Sequence, residues 1–377
     1  MSRAQEVAGA FGDVGVFLPL ALALVAINGL DPTLVFGLAG LYYLASGWFY
    51  RLPVPVQPFK AVSAIAIAGH LSPGAIHAAA LFMGAGLLAL SWGRLPALIE
   101  RLFAPPVVRG IQLGLGLILL SSGVGLTQRD PRLPGEGWLP YAVVAAGVIG
   151  VALLQRQRRV PGLLLVAAAG LAWGSATLPA AMPPLAFGPV LALPSLPTAN
   201  DLATGLLVLA LPQLPLTLGN SVVSTVDVAR EYFGPRAARV TPANLLRDMG
   251  LTNLAAGLAG GIPMCHGAGG MTAHYRFGAR TAAAAGIAGV FYLALGIGFG
   301  AAAPAFLALF PATALGVLVG YVGWQHLLLV RRLTRRDEWA IALAIGALTL
   351  VTGSLALAFG VGLAIYWGAR LLGLMRA

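Results

Sequence analysis

Residues 52–63 read Leu52-Pro53-Val54-Pro55-Val56-Gln57-Pro58-Phe59-Lys60-Ala61-Val62-Ser63. Three alternating prolines cannot lie inside a helix, because each lacks a donor N–H and restricts the residue before it, so this stretch is extended. A helix can begin after Pro58, since proline suits a first turn. A second stretch repeats the design: Gly261-Ile262-Pro263-Met264-Cys265-His266-Gly267-Ala268-Gly269-Gly270-Met271-Thr272, extended Gly/Pro chain leading into a helix. Setting Pro55 against Pro263, with a one-residue gap, also sets Ser63-Ala64 against Thr272-Ala273.

Both interruptions lie in a chain otherwise suited to lipid. Of its 377 residues 59% are hydrophobic and 9% charged, against about 25% charged in a soluble domain. Apolar blocks at 14–30, 33–50, 76–92, 107–126, 139–154, 160–178, 202–222, 282–303, 311–330, 338–352 and 353–373 approach or reach the roughly 20 residues that cross a bilayer as a helix. The 50 glycines and 26 prolines are tolerated there, where neighbouring helices satisfy freed backbone groups and small residues allow close approach. The composition excludes a soluble fold. Arg3, Glu6 and Asp13 ahead of an uninterrupted apolar run do not fit a cleaved signal. Cys265 is the lone cysteine, which excludes a disulfide framework.

The net charge of +11 comes from clustered arginines: 94, 101 and 109; 156, 158 and 159; 230, 236 and 239; 276 and 280; 331, 332, 335 and 336. With a cytoplasmic N-terminus and about fourteen spans, every cluster falls in a cytoplasmic loop, as the positive-inside rule requires. The charge therefore reads as topology, and no nucleic-acid partner is expected. Loops on the other side are almost free of basic residues, except the one holding Arg129 and Arg132 with Asp130 and Glu136. Re-entrant segments would lower the count to ten to twelve. The Pro-rich stretch 179–200 separates two halves, 1–178 and 201–377, of about seven segments each. Seven is odd, so the second half runs inverted. The expected fold is an all-α integral membrane protein, two inverted seven-segment repeats with half-helices in segments 3 and 10, in the inner membrane with both termini cytoplasmic.

Two half-helices starting near mid-membrane from opposite sides aim unpaired N–H groups and positive dipole ends at one point, which suits an anion. Gly267, Gly269 and Gly270 let backbone approach a ligand. Lys60 is the sole lysine, and a charge at membrane depth normally faces a cavity; a structural pairing with Asp13 is the alternative. Three roles are open to Asp13: partner of Lys60, proton-coupling group, or interfacial cap. Gln213, Asn220, Ser221 and Ser224 are neutral donors suited to an oxyanion, though helix-packing hydrogen bonds explain them equally. Cys265, His266 and His274 fall short of the three or four grouped ligands a metal needs, so neither metal nor cofactor is expected. His266 reads as an anion donor or a proton carrier. The substrate-binding candidates are Gln57, Phe59, Lys60, Ala61, Gln213, Asn220, Ser221, His266, Gly267, Ala268 and Gly269, with Asp13 and His266 as coupling candidates.

The segments FGDVGVFLPLALAL (11–24), PVPVQPFKAVSAIA (53–66), LGNSVVSTVD (218–227) and GGIPMCHGAGGMTAHYRFGART (260–281) resemble the signature segments of the molybdate transporter family related to sulfate permeases. The resemblance implies uptake of molybdate, with sulfate a related or competing substrate. It also implies fourteen segments in which a core (about 7–93 plus 201–303) carries the site and slides against a gate (about 104–178 plus 311–373). In that arrangement Gln57, Lys60, Asn220, His266 and Gly267–Gly269 line the pocket. A proton is a candidate co-substrate, and a homodimer stands open beside a monomer. The alternatives are a sulfate transporter, a proton-coupled nucleobase permease of the same fold (disfavoured because its site wants a carboxylate where Gln213 and Asn220 stand), a channel, and a membrane enzyme using Cys265 and His266.

Overall fold

The apolar blocks become helices whose ends are fixed by local chemistry. In chain order they are α1 (Arg3–Ala10), α2 (Val14–Asn28), α3 (Pro32–Tyr50), the two-residue strand β1 (Gln57–Pro58), α4 (Lys60–Gly69), α5 (Pro73–Leu90), α6 (Pro105–Gln128), α7 (Leu139–Arg156) and α8 (Gly162–Ala176). The second half holds α9 (Ala199–Arg239), α10 (Pro242–Ala259), the strand β2 (Met264–Cys265), α11 (Ala268–Arg276), α12 (Ala282–Phe299), α13 (Ala312–Leu328), α14 (Arg336–Thr352) and α15 (Leu355–Leu371). Asp31, Ser72 and Thr241 accept an N–H from the first turns of α3, α5 and α10, each with proline opening the helix. The computed structural model describes residues 3–93, 105–133, 136–156, 162–177, 186–190, 194, 196–303, 305 and 309–372. Arg94, Arg101, Arg158, Arg159 and half of the Pro-rich stretch lie outside them.

This is a mostly helical membrane fold. Five helical stretches are long and apolar enough to cross a bilayer outright: Pro73–Leu90, Pro105–Gln128, Ala199–Arg239, Ala282–Phe299 and Ala312–Arg332. Leu207, Leu251, Leu258, Val290 and Leu350 face outward from the bundle, which water would penalise and lipid welcomes. In α9, Pro212 and Pro215 stand between two π-helical stretches, Gly205–Ala210 and Thr217–Ser224; wide turns of this kind relieve the missing proline donors.

Helices meet through small residues. α3 packs on α12, α5 on α10 and α6 on α13. Replacing each helix by the one seven places later turns the α3–α12 pair into α10–α5 and leaves α6–α13 unchanged. Each seam is a glycine crossing: Gly40 lies against Gly289, Gly84 against Gly250 and Leu254, Gly116 against Gly323. A Cβ on Gly40 would stand 2.7 Å from the Gly289 carbonyl oxygen and from Leu293. Gly40→Leu should therefore wedge α3 from α12 at a cost of about 1–3 kcal/mol. The expected result is a lower melting temperature in detergent; an unchanged one would show that the seam can open freely.

Candidate functional site

The two extended stretches find each other. β1 and β2 pair antiparallel, Gln57 opposite Cys265 and Pro58 opposite Met264. The Phe59 N–H extends the pairing by donating to the Pro263 carbonyl at 2.9 Å. Proline cannot donate, so the ladder ends after two residues. The buried Asn253 of α10 supplies what the strand lacks. Its Nδ2 donates to the Met264 and Met249 carbonyls at 2.7 and 2.6 Å, and its Oδ1 accepts the Met264 N–H at 2.8 Å. On the other side, Asn28 Nδ2 donates to the Ala66 and Leu71 carbonyls at 2.9 and 2.8 Å, closing the far end of α4.

α4 and α11 start directly after these strands, with Phe59 and Gly267 as N-caps and no side-chain cap on either. Helices of 10 and 9 residues reach about 15 Å at 1.5 Å per residue, half a hydrocarbon core. Their first-turn N–H groups lack helical partners by construction. One of these is satisfied: Ala61 N–H donates to Gln213 Oε1 at 2.8 Å, while Gln213 Nε2 donates to Thr217 Oγ1 at 3.0 Å.

A cavity of about 630 Å³ lies between these helix starts and the helices α6, α9 and α13. Its wall includes Asp13, Gln57, Lys60, Asn220, Ser224, Ala268 and Gly269, with Arg109 and Gln112 of α6 and Gln325, His326 and Arg332 on and after α13. Glu231, Arg276 and Arg332 stand at its mouth, toward the arginine-rich end of the bundle. Four cationic side chains (Lys60, Arg109, Arg276, Arg332) face two carboxylates, Asp13 and Glu231, so the cavity favours anions.

A polar relay runs along one wall. Lys60 Nζ donates to Gln57 Oε1 at 2.6 Å, and Gln57 Nε2 donates to Asp13 Oδ1 at 2.5 Å. Lysine can only donate and carboxylate only accept, so this fixes the orientation of the Gln57 amide. Asp13 Oδ2 is buried without a hydrogen-bond partner. Gly270 makes room for the relay: a Cβ there would lie 2.6 Å from Gln57 Nε2 and 2.8 Å from Asp13 Cγ. Lys60 and Asp13, one structural pair in one sequence reading, are thus linked through Gln57 rather than in direct contact.

Of the expected substrate-binding set, Gln57, Lys60, Asn220, Ala268 and Gly269 reach the cavity wall. Phe59, Ala61, Gln213, Ser221, His266 and Gly267 are buried behind it. Gln213 serves the α4 backbone, as above. His266 Nδ1 donates to the Pro55 carbonyl at 2.6 Å, and Nε2 faces Asp248 Oδ2 at 2.6 Å and the Tyr42 hydroxyl at 3.0 Å. With both nitrogens engaged, the ring braces the strand before α4 against α10 and α3. His274 Nδ1 donates to the Gly9 carbonyl at 2.7 Å. No group of three or more metal-ligating side chains occurs among the described residues.

Arg109, Gln112 and Gln325 did not stand out from sequence as site residues. A signal existed: Gln112 follows Arg109 by one turn inside an apolar block, and Arg109 Nη1 donates to Gln112 Oε1 at 2.7 Å. Asp248 and Tyr42 carried no such signal.

The family profile described as "Molybdate transporter of MFS superfamily" matches residues 5–119 and 205–325. The chain is 28% identical to Molybdate transporter 2 of Arabidopsis thaliana over 411 positions, covering 96% of this chain and 86% of that one. It is 29% identical to Molybdate transporter 1 of Chlamydomonas reinhardtii over 468 positions, covering 95% and 90%. Among solved structures, the transmembrane domain of a cyanobacterium bicarbonate transporter, BicA, superposes with a TM-score of 0.69 over 94% of this chain and 96% of that one, at 18% identity, a likeness in fold. The relatives are transporters, which removes the enzyme reading of Cys265 and His266.

Proposed function

Because the chain belongs to the molybdate transporter family, we propose that it is a secondary active importer of molybdate working by alternating access. The observation that carries this is the cavity at the uncapped starts of α4 and α11, with Lys60 in its wall. Each helix start is equivalent to about half a positive charge. Together with Lys60 they offer about two charges, the amount a tetrahedral dianion needs on leaving water. Asn220, Ser224 and Gln57 supply neutral polar groups at the same wall. Sulfate has the same shape and charge and is the competing substrate.

In this reading α2–α8 and α9–α15 are the two inverted repeats, supported by the exchange of helix pairs described above. The core is about 7–93 plus 201–303 and the gate about 104–178 plus 311–373. α6 and α13 bring Arg109 and Gln325 to the cavity from the gate side. The arginine-rich end is cytoplasmic, so the cavity opens inward, in the inner membrane, with both termini on that side.

Asp13 is the coupling group. A dianion beside a buried carboxylate adds repulsion that a proton on Asp13 removes, so anion binding and proton uptake are linked. Moving the proton with the anion also offsets the cost of carrying negative charge into a negative-inside cell. His266, engaged at both nitrogens, positions the α4 start. In proteoliposomes, Asp13→Asn should still exchange labelled for unlabelled molybdate while losing accumulation driven by an inward proton gradient. Undiminished gradient-driven accumulation would assign coupling elsewhere, and uptake that unlabelled molybdate does not compete would overturn the substrate.

A further inference from the structure

At the end of α4 remote from Lys60 lies a second cavity, about 440 Å³, whose polar lining is His70, Ser121, Ser122, Arg129 and Thr349. Here the Arg129 guanidinium donates to His70 Nε2 at 2.6 Å. Arginine only donates, so Nε2 accepts and the ring hydrogen sits on Nδ1. The contact joins two bodies. His70 caps α4, the helix that begins at Lys60, and Arg129 follows α6, the helix that brings Arg109 to the first cavity.

Two features set this contact apart from ordinary surface pairing. Arg129 and Arg132 are the basic residues that break the charge asymmetry of the loops on their side. Arg132 has a structural task, bonding Asp130 and Thr177, while Asp130 accepts the Thr313 N–H at 2.8 Å and so pins the start of α13. Burial acts to raise the Asp130 carboxyl, but the Thr313 N–H and Arg132 outweigh it and hold the group below its ordinary value. Arg129 takes no part in that anchor; it faces the cavity. In addition, His70 has φ 48°, in the left-handed region that glycine fills without strain. Arg51, which caps α3, is the other non-glycine residue in that region among those described.

We propose that Arg129 is the outer capture residue for the oxyanion, held by His70 while the inner cavity is open and released to the incoming anion when α4 moves away from α6. The proposal rests on the transport reading above. The competing role is a fixed cap, the guanidinium simply complementing the negative end of α4.

The test measures external molybdate dependence in oriented proteoliposomes, with a labelling arm that needs no transport. Arg129→Gln should raise the external KM about tenfold or more, the loss expected for one charged hydrogen bond. It should leave the melting temperature and molybdate binding from the inner side unchanged. His70→Gln, whose amide oxygen can accept from Arg129, should behave as the parent. In the labelling arm, Ser121→Cys should react faster with an impermeant thiol reagent when combined with His70→Ala than alone; Cys265 is buried and stays silent. An external KM within about twofold of the parent would overturn the proposal, a lowered melting temperature beside it making Arg129 a helix cap; equal labelling rates would overturn it too. Failure of the unsubstituted protein to carry molybdate would overturn the transport reading instead, and the labelling arm would still decide whether His70 closes this cavity.

Discussion

Lys60→Ala is expected to lower kcat/KM for molybdate uptake by about 100-fold or more while leaving the protein folded. Lys60 is the only lysine and the one full positive charge at the two helix starts. Removing one partner from a desolvated charge pair costs about 3–5 kcal/mol, because the other charge is left uncompensated. At about 1.4 kcal/mol per decade this is roughly two to three and a half orders of magnitude in rate or affinity. Folding should be spared, since Lys60 stands at a cavity wall and its hydrogen bond goes to Gln57, whose amide remains bonded to Asp13. Lys60→Arg separates charge from geometry. It keeps the cation but puts a planar fork where a compact ammonium donates to Gln57 Oε1 at 2.6 Å. An intermediate rate is expected. Uptake by Lys60→Ala equal to the parent, at equal protein in the membrane, would remove Lys60 from the site.

Asn253→Leu is expected to do the reverse, losing the fold before the chemistry. The side chain is fully buried, shares the branched shape of leucine, and makes three hydrogen bonds with the backbone of Met264 and Met249. Leucine, bulkier with its two methyl groups, crowds the space and leaves the Met264 N–H and carbonyl unpaired where no water can reach them. Each such group costs about 1–3 kcal/mol, a large fraction of the roughly 5–15 kcal/mol that holds a typical domain. A melting temperature lower by about 5–10 °C is expected, with little protein in the membrane at physiological temperature. Asn253→Asp keeps the acceptor for the Met264 N–H and should fall between the two. Measured thermal stability of the Leu variant equal to the parent would mean that β2 is held in place by β1 alone.

The contrast between these residues shows what was legible in the chain. Apolar blocks announced most helices to within a few residues, because lipid demands runs of hydrophobic side chains. α10 was not announced. Asn244, Arg247, Asp248, Thr252 and Asn253 dilute its apolar pattern, and two of them turn inward to hold β2 and His266. The prolines around Gln57 and the glycines after His266 forecast extended chain leading into helix starts, since their backbone limits are local. Their likeness set the two stretches at one point of the bundle, but the strand pairing between them and its register depend on distant chain and were not legible.

Within the site, Asp13 was legible as a possible partner of Lys60, but that Gln57 stands between them, 44 residues after Asp13, was not. Gln213 read as an oxyanion donor because its chemistry suits one. It accepts the Ala61 N–H instead, and composition cannot say whose hydrogen an amide will take. Arg109 was hidden for another reason: its cluster already had an explanation in topology, and one arginine of that cluster faces the cavity.

The proposed anion site at the starts of α4 and α11 is tested most directly by locating molybdenum. Crystals of the protein grown with molybdate and measured at the molybdenum absorption edge should give one strong anomalous peak in the 630 Å³ cavity, within hydrogen-bonding reach of Lys60 and the first-turn N–H groups of α11. The same crystals of Lys60→Ala should lack it. A peak elsewhere in the bundle, or one at the helix starts that persists unchanged without Lys60, would contradict the site described here.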